Sequence, residues 1–252
     1  MAERKMTHLL GVPFDMVSGP ELSLRIKAAA EAKEKLWIST ANLDWLVEAT
    51  RNQDFRRQLV GSDLVTCDGA PVRLLSRFAG GPMPDRITGV EIFERLRLGE
   101  AGPLRIGFFG GEGDEAVRAS QALNESDTPL IGAGGHNPGR GSIDDLSADE
   151  HIDALNAMQA DMLVLALGAV KAQGWIEKNQ HRLNAPVISH LGAVVRHTSG
   201  DTNPAPKWAA ESGTEWLYRA WHEPAVRMRY VRNFAALPRL TLGAVRQRLA
   251  RS

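Results

Sequence analysis

A carboxylate follows a short apolar run of this sequence, at a place where a buried strand would end. Asp68 comes directly after the run Asp63–Thr66, within the stretch Thr-Cys-Asp-Gly at 66–69. Burial and neighbouring charges can tune the pKa of such a carboxylate toward general-base chemistry. An isolated Asp-Gly pair is more often simply a turn. The residues alone leave both interpretations of Asp68 open.

A second polar stretch, Ser-Thr-Ala-Asn at 39–42, ends another apolar run. Thr40 and Asn42 present a hydroxyl and an amide that can contact a ligand. Asn42 is equally suited to cap the helix expected to follow it. Capping and ligand contact are about equally supported here.

Two further apolar runs are each followed by a candidate binding loop, the first rich in glycine and the second containing a lysine. Gly110 and Gly111 precede a predicted helix, where backbone N–H groups can approach a diphosphate. The spacing is not G-x-G-x-x-G, so the loop gives little support for NAD or FAD. Lys171 and Gln173 lie at the start of a later predicted helix. Lys171 can pair with phosphate there, although an exposed lysine at a helix start is the commoner case.

The alternation of apolar runs and amphipathic segments predicts an α/β fold with a Rossmann-like, mostly parallel sheet and helices on both faces. Because ligands bind beyond the carboxyl ends of the strands in such sheets, the loops above should meet at one edge. The predicted strands are His8–Val12, Lys35–Thr40, Asp63–Thr66, Leu104–Phe109, Pro129–Gly132, Met162–Leu167 and Val187–His190. The predicted helices cover 20–33, 43–60, 70–79, 89–98, 113–124, 147–158 and 171–182, and 132–142 is predicted to be a loop.

Composition excludes several classes of protein. With 252 residues, 43% hydrophobic and 24% charged, the chain should form one main core. A single cysteine, Cys67, excludes an internal disulfide and fits a reducing compartment. The first residues lack the apolar segment of a secretory signal, and the longest uncharged apolar run, Met162–Val170, falls short of the roughly 20 residues of a membrane span. A cytoplasmic protein is therefore expected.

Known catalytic and metal-binding motifs are missing from the sequence. The seven histidines show no HExxH spacing and no tight ligand cluster, so no metal is expected. G-x-S-x-G and Walker A sequences are also absent, which argues against common hydrolases and P-loop NTPases.

Charge is polarised along the chain. The formal net charge is zero, yet residues 205–252 hold nine basic and three acidic residues, a net charge of +6. After Glu223, seven arginines alternate with apolar residues and no acidic residue occurs. Such a segment prefers an anionic surface, either lipid head groups or nucleic acid, although a basic helical end packed on an acidic body remains an alternative. The predicted organisation is a catalytic domain at 1–203 and a helical, arginine-rich appendage at 204–252.

Six collinear stretches resemble the WecG/TagA/CpsF family of bacterial glycosyltransferases, family 26 of the sugar transferases. The resemblance covers about residues 8–235. The stretches are Ser39–Asp44, Ser62–Gly69, Arg86–Gly89, Phe108–Gly111, Asp161–Gly168, and Ala205–Trp208 followed by Gly213–Arg219 and Glu223-Pro224.

The resemblance implies an inverting, metal-independent glycosyltransferase without a cofactor. It would move a sugar from a UDP-sugar to a polyprenyl-diphosphate-linked saccharide, in polysaccharide synthesis at the inner face of the cell membrane. Asp68 would be the catalytic base, with Thr40, Asn42 and Arg86 lining its pocket and Gly89 beside it. The appendage would bind the anionic membrane rather than nucleic acid and close over the site, with diphosphate contacts from Arg219, Arg227, Arg229 and Arg232.

The sequence departs from the family pattern near the expected donor site. Ala172 stands where a glutamine is expected to contact sugar or diphosphate, Arg196 replaces an aspartate and Pro204 an arginine. Cys67 replaces the usual proline, and a Gly-Tyr pair is missing from 132–140. These changes favour a different UDP-sugar over an impaired enzyme.

Two alternatives from other classes stay open. One is a nucleotide-sugar or lipid-phosphate binding protein of the same fold without turnover. The other is a nicotinamide-dependent oxidoreductase, which lacks the acidic residue expected after the next strand, where Gly-Ala-Gly stands at 132–134. The donor sugar, the acceptor and a homo-oligomeric state are not determined by the sequence.

Overall fold

A computed structural model describes residues 4–81, 83, 86–201 and 224–250, without the side chains of 224–226 and 229. Its strands are β1 (Met6–Leu9), β2 (Val12–Asp15), β3 (Leu36–Ala41), β4 (Leu64–Cys67), β5 (Leu104–Gly110), β6 (Leu130–His136), β7 (Met162–Ala166) and β8 (Val187–His190). The helices of the described part, numbered in chain order, are α1 (Gly19–Ala32), α2 (Leu43–Ala49), α3 (Gln53–Gly61), α4 (Ala70–Phe78), α5 (Gly89–Arg97), α6 (Glu115–Asn124), α7 (Asp149–Ala157), α8 (Ala169–Asn179), α9 (Gly192–Thr198) and α10 (Pro224–Leu249).

The predicted α/β architecture is confirmed. Six strands form a parallel sheet in the order β4-β3-β8-β7-β5-β6, and β1 and β2 form a separate antiparallel hairpin. The sheet places β3, near the start of the chain, directly beside β8, the last strand of the described sequence. The helices that follow these two strands pack on opposite faces of the sheet. Such a junction opens a crevice at the carboxyl ends of the strands.

Apolar side chains that alternate along the strands build a core on each face. Ile38 and Val164 pack on the face covered by α1, α5, α6 and α9. Ala41 and Val65 lie on the other face with α2, α3 and α4, and Leu163 lies there with α7 and α8. Burial on both faces explains why β7, Met162–Ala166, appears in the sequence as a continuous apolar run.

Several predicted elements need correction. The predicted strand His8–Val12 is a tight hairpin, because Leu10 and Gly11 both adopt positive φ, 54° and 81°, as a two-residue turn requires. The predicted helix 43–60 is two helices, since the Asn52 side chain accepts a hydrogen bond from the Phe55 N–H, 3.0 Å away, and starts α3. The predicted loop 132–142 begins inside β6, and α9 was not predicted.

The C-terminal helix α10 packs on α2 and α4. Its Leu240 and Ala244 are buried in the same cluster as residues of β3 and β4. Gln247 accepts a hydrogen bond from the Leu10 N–H at 2.7 Å and donates one to the His8 carbonyl at 2.6 Å. The predicted helical tail is confirmed for residues 224–249, whereas the proposed boundary at 203/204 lies outside the described residues.

Candidate active site

The loops after β3 and β4 lie side by side at the carboxyl edge of the sheet. The parallel register pairs Thr40 with Thr66 and Ala41 with Cys67. It continues one residue further, because the Asp68 N–H donates to the Ala41 carbonyl at 3.0 Å. Asp68 therefore lies next to the stretch 39–42, as predicted from the two strand ends.

Backbone hydrogen bonds bring a third loop to this edge. The Ile87 N–H donates to the Cys67 carbonyl at 2.9 Å, and the Thr66 hydroxyl donates to the Ile87 carbonyl at 3.1 Å. These contacts fix residues 86–88 beside Asp68. The exposed Arg86 thus enters the same region from a stretch about 20 residues away from β4 along the chain.

Gly89 begins α5 and leaves room beside Thr40. A Cβ atom at residue 89 would lie 2.8 Å from Leu191 Cδ2 and 3.7 Å from the Thr40 hydroxyl oxygen. A side chain at residue 89 would therefore displace the end of the Leu191 side chain, which follows β8. Thr40 itself is buried beneath this approach of α5.

Asn42 performs the capping role that the sequence left open. Its side-chain oxygen accepts a hydrogen bond from the Trp45 N–H at 3.2 Å and starts α2. The residue is half-buried, and its side-chain nitrogen has no partner among the described residues. Capping therefore uses one end of the amide and leaves the other for a ligand.

Charged groups converge around the start of α4. Burial and the charge of Asp68 raise the pKa of the Cys67 thiol to about 12, and Arg73 and Arg86 oppose this shift. Cys67 is therefore a neutral thiol at physiological pH. Arg73, on the first turn of α4, was not singled out from the sequence, because a lone arginine on a predicted helix carries no motif. The charge of Arg73 lowers the pKa of the Cys67 thiol, so the guanidinium acts on the residue directly before Asp68.

The glycine loop after β5 has a packing role. A Cβ at Gly110 would lie 2.7 Å from the Ala166 carbonyl oxygen, and the Gly111 N–H donates to that same oxygen at 3.0 Å. The buried Glu115 carboxylate accepts the Glu112 N–H at 2.9 Å. An internal carboxylate thus already lies against the start of α6. Gly110 and Gly111 therefore hold this loop against the end of β7. They are not part of the diphosphate contacts proposed below.

Lys171 and Gln173 are both engaged within the protein. The Lys171 ammonium donates to the Gly141 carbonyl at 2.6 Å and anchors the loop after β6 to α8. Gln173 is completely buried and accepts a hydrogen bond from the Ser39 hydroxyl at 3.1 Å. Its location corrects the expectation that Gln173 lies at the ligand edge, whereas Lys171 retains two N–H donors for a ligand.

His190, the last residue of β8, is a site residue that the sequence did not single out. Its Nδ1 lies 2.9 Å from the Leu165 carbonyl oxygen, and its ring stacks on Trp45 with centroids 6.1 Å apart. Burial lowers the pKa of its imidazole to about 4. The available signal was a histidine at the end of an otherwise apolar strand.

The arginines predicted for the appendage divide into two groups. Arg232 forms an ion pair with Asp44, in the first turn of α2 and two residues after Asn42. Arg227 is exposed near the start of α10. Arg219 and the side chain of Arg229 lie outside the described part of the structure.

Two departures from the family pattern occupy defined places. Ala172 is completely buried in α8. Arg196, on α9, lies with its Nε 3.8 Å from the Glu115 carboxylate. The arginine that replaces an aspartate thus faces the carboxylate at the start of α6. Pro204 lies outside the described residues.

Sequence comparisons place this chain in a known family. A family model described as the glycosyl transferase WecG/TagA/CpsF family matches residues 7–252. The chain belongs to this family. This glycosyltransferase is 25% identical over 215 residues to an N-acetylglucosaminyldiphosphoundecaprenol N-acetyl-beta-D-mannosaminyltransferase of Staphylococcus aureus (strain NCTC 8325), covering 84% of this chain and 83% of the relative. It is 28% identical over 189 residues to a protein of the same name from Bacillus spizizenii (strain W23), covering 75% and 72%.

The described residues of the glycosyltransferase contain neither a metal-binding cluster nor a membrane-spanning helix. No group of three or more His, Cys, Asp and Glu side chains in the part of the chain that the structure describes is arranged to hold a metal ion. Over the same residues, no helix combines the length and the apolar character needed to span a bilayer.

Proposed function

We propose that this glycosyltransferase moves a sugar from a UDP-sugar to a polyprenyl-diphosphate-linked saccharide, with inversion and without a metal, at the inner face of the cell membrane. The observation that carries the proposal is the convergence of Thr40, Asn42, Asp68, Arg86 and Gly89 at adjoining strand ends, in a chain of this family. The relatives' names give a lipid-diphosphate-linked N-acetylglucosamine as their acceptor.

Asp68 is the base in this proposal. An inverting transfer requires a group that takes the proton from the acceptor hydroxyl as its oxygen attacks the anomeric carbon, and that group must reach to roughly 3 Å. Asp68 is half-buried and directly follows β4, the edge strand of the six-stranded sheet. Its exposed part is accessible to an acceptor.

Cations and helix starts stabilise the leaving diphosphate in the same proposal. Negative charge develops on UDP as the glycosidic bond breaks, and arginine side chains and backbone N–H groups can stabilise it where no metal does so. Arg86 and Arg73 lie at the Asp68 end of the pocket, and Lys171 lies at the start of α8. The start of α8 has no side-chain cap, so its first N–H groups are open to an anion.

The appendage brings the enzyme to its lipid-linked acceptor. Arginines and apolar side chains share the exposed surface of α10, and each arginine held near anionic head groups contributes about 1 kcal/mol. The exposed members are Arg227, Met228, Val231, Arg232, Phe234, Arg239, Leu242, Val245, Arg246, Arg248 and Leu249. Because Arg232 contacts the helix that Asn42 caps, α10 is placed to join membrane contact to the active site.

The departures at the donor side favour a UDP-sugar other than that of the relatives. Ala172 presents no polar group where the family pattern has a glutamine, and Arg196 reverses the charge of the family's aspartate. The pocket residues at the Asp68 end are retained. We therefore expect the base chemistry to be conserved and the recognition of the sugar to differ.

The test is UDP release from a panel of UDP-sugars, with and without a polyprenyl-diphosphate-linked N-acetylglucosamine acceptor. Acceptor-dependent release with one sugar, lost in Asp68→Ala and in Asp68→Asn, would support the transferase and identify the donor. Asp54→Asn, an exposed carboxylate on α3, is the matched control. Undiminished transfer in Asp68→Asn would overturn the base assignment, and UDP binding without turnover on any sugar would favour a binding protein.

A further inference from the structure

His190 occupies the point where the strand order reverses. It ends β8, between β3 and β7 in the middle of the sheet. The carboxyl ends of the strands around such a reversal are where ligands bind in open α/β sheets. The residue is partly exposed at this edge, although most of its imidazole is enclosed.

The ring of His190 is held in one tautomer. A carbonyl oxygen can only accept a hydrogen bond, so the Nδ1 atom, 2.9 Å from the Leu165 carbonyl, carries the hydrogen. The Nε2 atom of a neutral imidazole then has the lone pair and is an acceptor. The ring stacks on Trp45, whose backbone N–H donates to the Asn42 side chain, and this stacking fixes the ring plane relative to Asn42.

The acceptor atom of His190 has no partner among the described residues. Its edge of the ring lies against Gly192, where a Cβ atom would be 3.7 Å from Nε2 and 3.2 Å from Cε1. Glycine at 192 thus keeps this edge clear of a side chain. The Nε2 atom can therefore accept a hydrogen bond from a ligand donor.

The position of His190 relative to Asp68 points to the donor substrate. Asp68 follows the edge strand β4, whereas His190 ends β8, two strands further in and therefore about 10 Å away along the sheet. If the acceptor hydroxyl meets the base at the edge, the sugar nucleotide extends from there toward the centre of the sheet. His190 lies along that path.

We propose that Nε2 of His190 accepts a hydrogen bond from a hydroxyl or N–H group of the bound UDP-sugar and so contributes to donor recognition. This inference rests on the proposed function for the identity of the ligand. It assigns recognition to a residue at the carboxyl end of the central strand β8, in a chain that lacks the family's polar contact at residue 172.

Two amide substitutions distinguish the role of Nε2 from that of Nδ1. In His190→Asn the side-chain N–H can still donate to the Leu165 carbonyl, but nothing replaces Nε2. In His190→Gln the longer side chain can place an amide oxygen near the position of Nε2. We expect His190→Asn to raise the donor KM about tenfold and His190→Gln to raise it by no more than about threefold, as for loss and partial retention of one hydrogen bond. His181→Gln, an exposed histidine after α8, is the control.

Equilibrium binding of UDP and of the UDP-sugar, measured on the same variants, identifies the part of the donor that is contacted. Weaker binding of both ligands to His190→Asn assigns the contact to the nucleotide, and weaker binding of the UDP-sugar alone assigns it to the sugar. Equal donor KM and equal binding in wild type, His190→Asn and His190→Gln would overturn the inference. If the wild type binds a UDP-sugar but transfers nothing, the proposed function fails while the binding comparison still tests His190. If it binds no UDP-sugar, both fail.

Discussion

The Nη2 atom of Arg232 lies 2.5 Å from Oδ1 of Asp44 and so joins the C-terminal helix to the first turn of the helix that Asn42 caps. The two side chains are 45% and 22% exposed, and an ion pair this accessible stabilises a fold by only about 0.2–1 kcal/mol. The ion pair therefore matters for the two elements that it joins, rather than for the stability that it adds. It connects α10, the helix proposed to meet the membrane, with the first turn of α2, which directly follows Asn42.

The first prediction concerns this ion pair. Arg232→Gln should lower kcat/KM for the lipid-linked acceptor several-fold, because α10 loses its contact with the pocket loop, while thermal stability changes little. Arg246→Gln removes the same charge from an exposed position of the same helix and serves as the control. Steady-state kinetics and thermal unfolding of both variants test this. Equal losses of activity in the two variants would show that only the charge of the helix matters.

The second prediction concerns the packing of α10. Leu240 is buried against the body, so Leu240→Ala should lower the free energy of unfolding by about 2 kcal/mol or more. Leu242 is 52% exposed on the same helix, and Leu242→Ala should change it by less than about 0.5 kcal/mol. Urea unfolding of both variants tests this.

A similar response of the two leucine variants would mean that α10 does not pack on the body in solution. The packing also bears on truncation experiments. Removing residues 205–252 would expose the apolar cluster that Leu240 and Ala244 cover, so loss of activity after truncation would not isolate a membrane role. Substitution of exposed arginines, with sedimentation on anionic liposomes, is the cleaner measurement.

Local patterns were sufficient to predict much of the fold. The bounds of β8 were predicted correctly, because Val187–His190 opens on two β-branched apolar residues that a buried strand favours. The pocket at Asp68 could be predicted because it consists of strand ends, which meet wherever parallel strands are neighbours. The strand order itself depends on pairings between distant residues, such as Leu36 with Val187.

The remaining features depend on long-range contacts that no local pattern contains. The hairpin turn at Leu10 is supported by Gln247, 237 residues away. Gln173 occupies a helix start of the kind that faces ligands, yet its bond to Ser39, 134 residues earlier, turns it into the core. The role of Glu115 at the glycine loop could not be predicted either, since an acidic residue in a first helical turn is common.

The third prediction concerns the close approach at Gly89. Gly89→Ala places a methyl group 2.8 Å from the end of the Leu191 side chain, so that side chain must shift within the pocket. We expect kcat/KM to fall by about tenfold or more, because small displacements of catalytic groups are costly. Since a leucine end is flexible and alanine favours the helix, the free energy of unfolding should change by less than about 1 kcal/mol.

Gly61→Ala is the control for this substitution, because nothing lies within 4 Å of a Cβ at residue 61. Transfer kinetics with the donor identified in the UDP-release panel, together with urea unfolding, provide the measurement. A loss of stability that matches the loss of activity would contradict a local effect on the pocket.

The fourth prediction concerns pH and His190. Burial lowers the pKa of the folded imidazole to about 4, against about 6.5 for a histidine in the unfolded chain. Between these values the unfolded chain binds more protons than the folded one, so protonation favours unfolding. The contribution of the neutral ring to the free energy of unfolding is therefore fully present above about pH 6.5. It is lost as the pH falls toward 4, by at most about 1.4 kcal/mol per pH unit.

His190→Asn removes this titration and keeps a donor for the Leu165 carbonyl. Its free energy of unfolding should therefore fall less steeply than that of the wild type between about pH 6.5 and pH 4. His136, whose pKa burial and the neighbouring His151 also lower, titrates alike in both proteins and cancels in the comparison. Urea unfolding at several pH values, with His181→Gln as the exposed control, tests the prediction. Parallel curves for wild type and His190→Asn would mean that the ring is hydrated in solution and that its pKa is not lowered by folding.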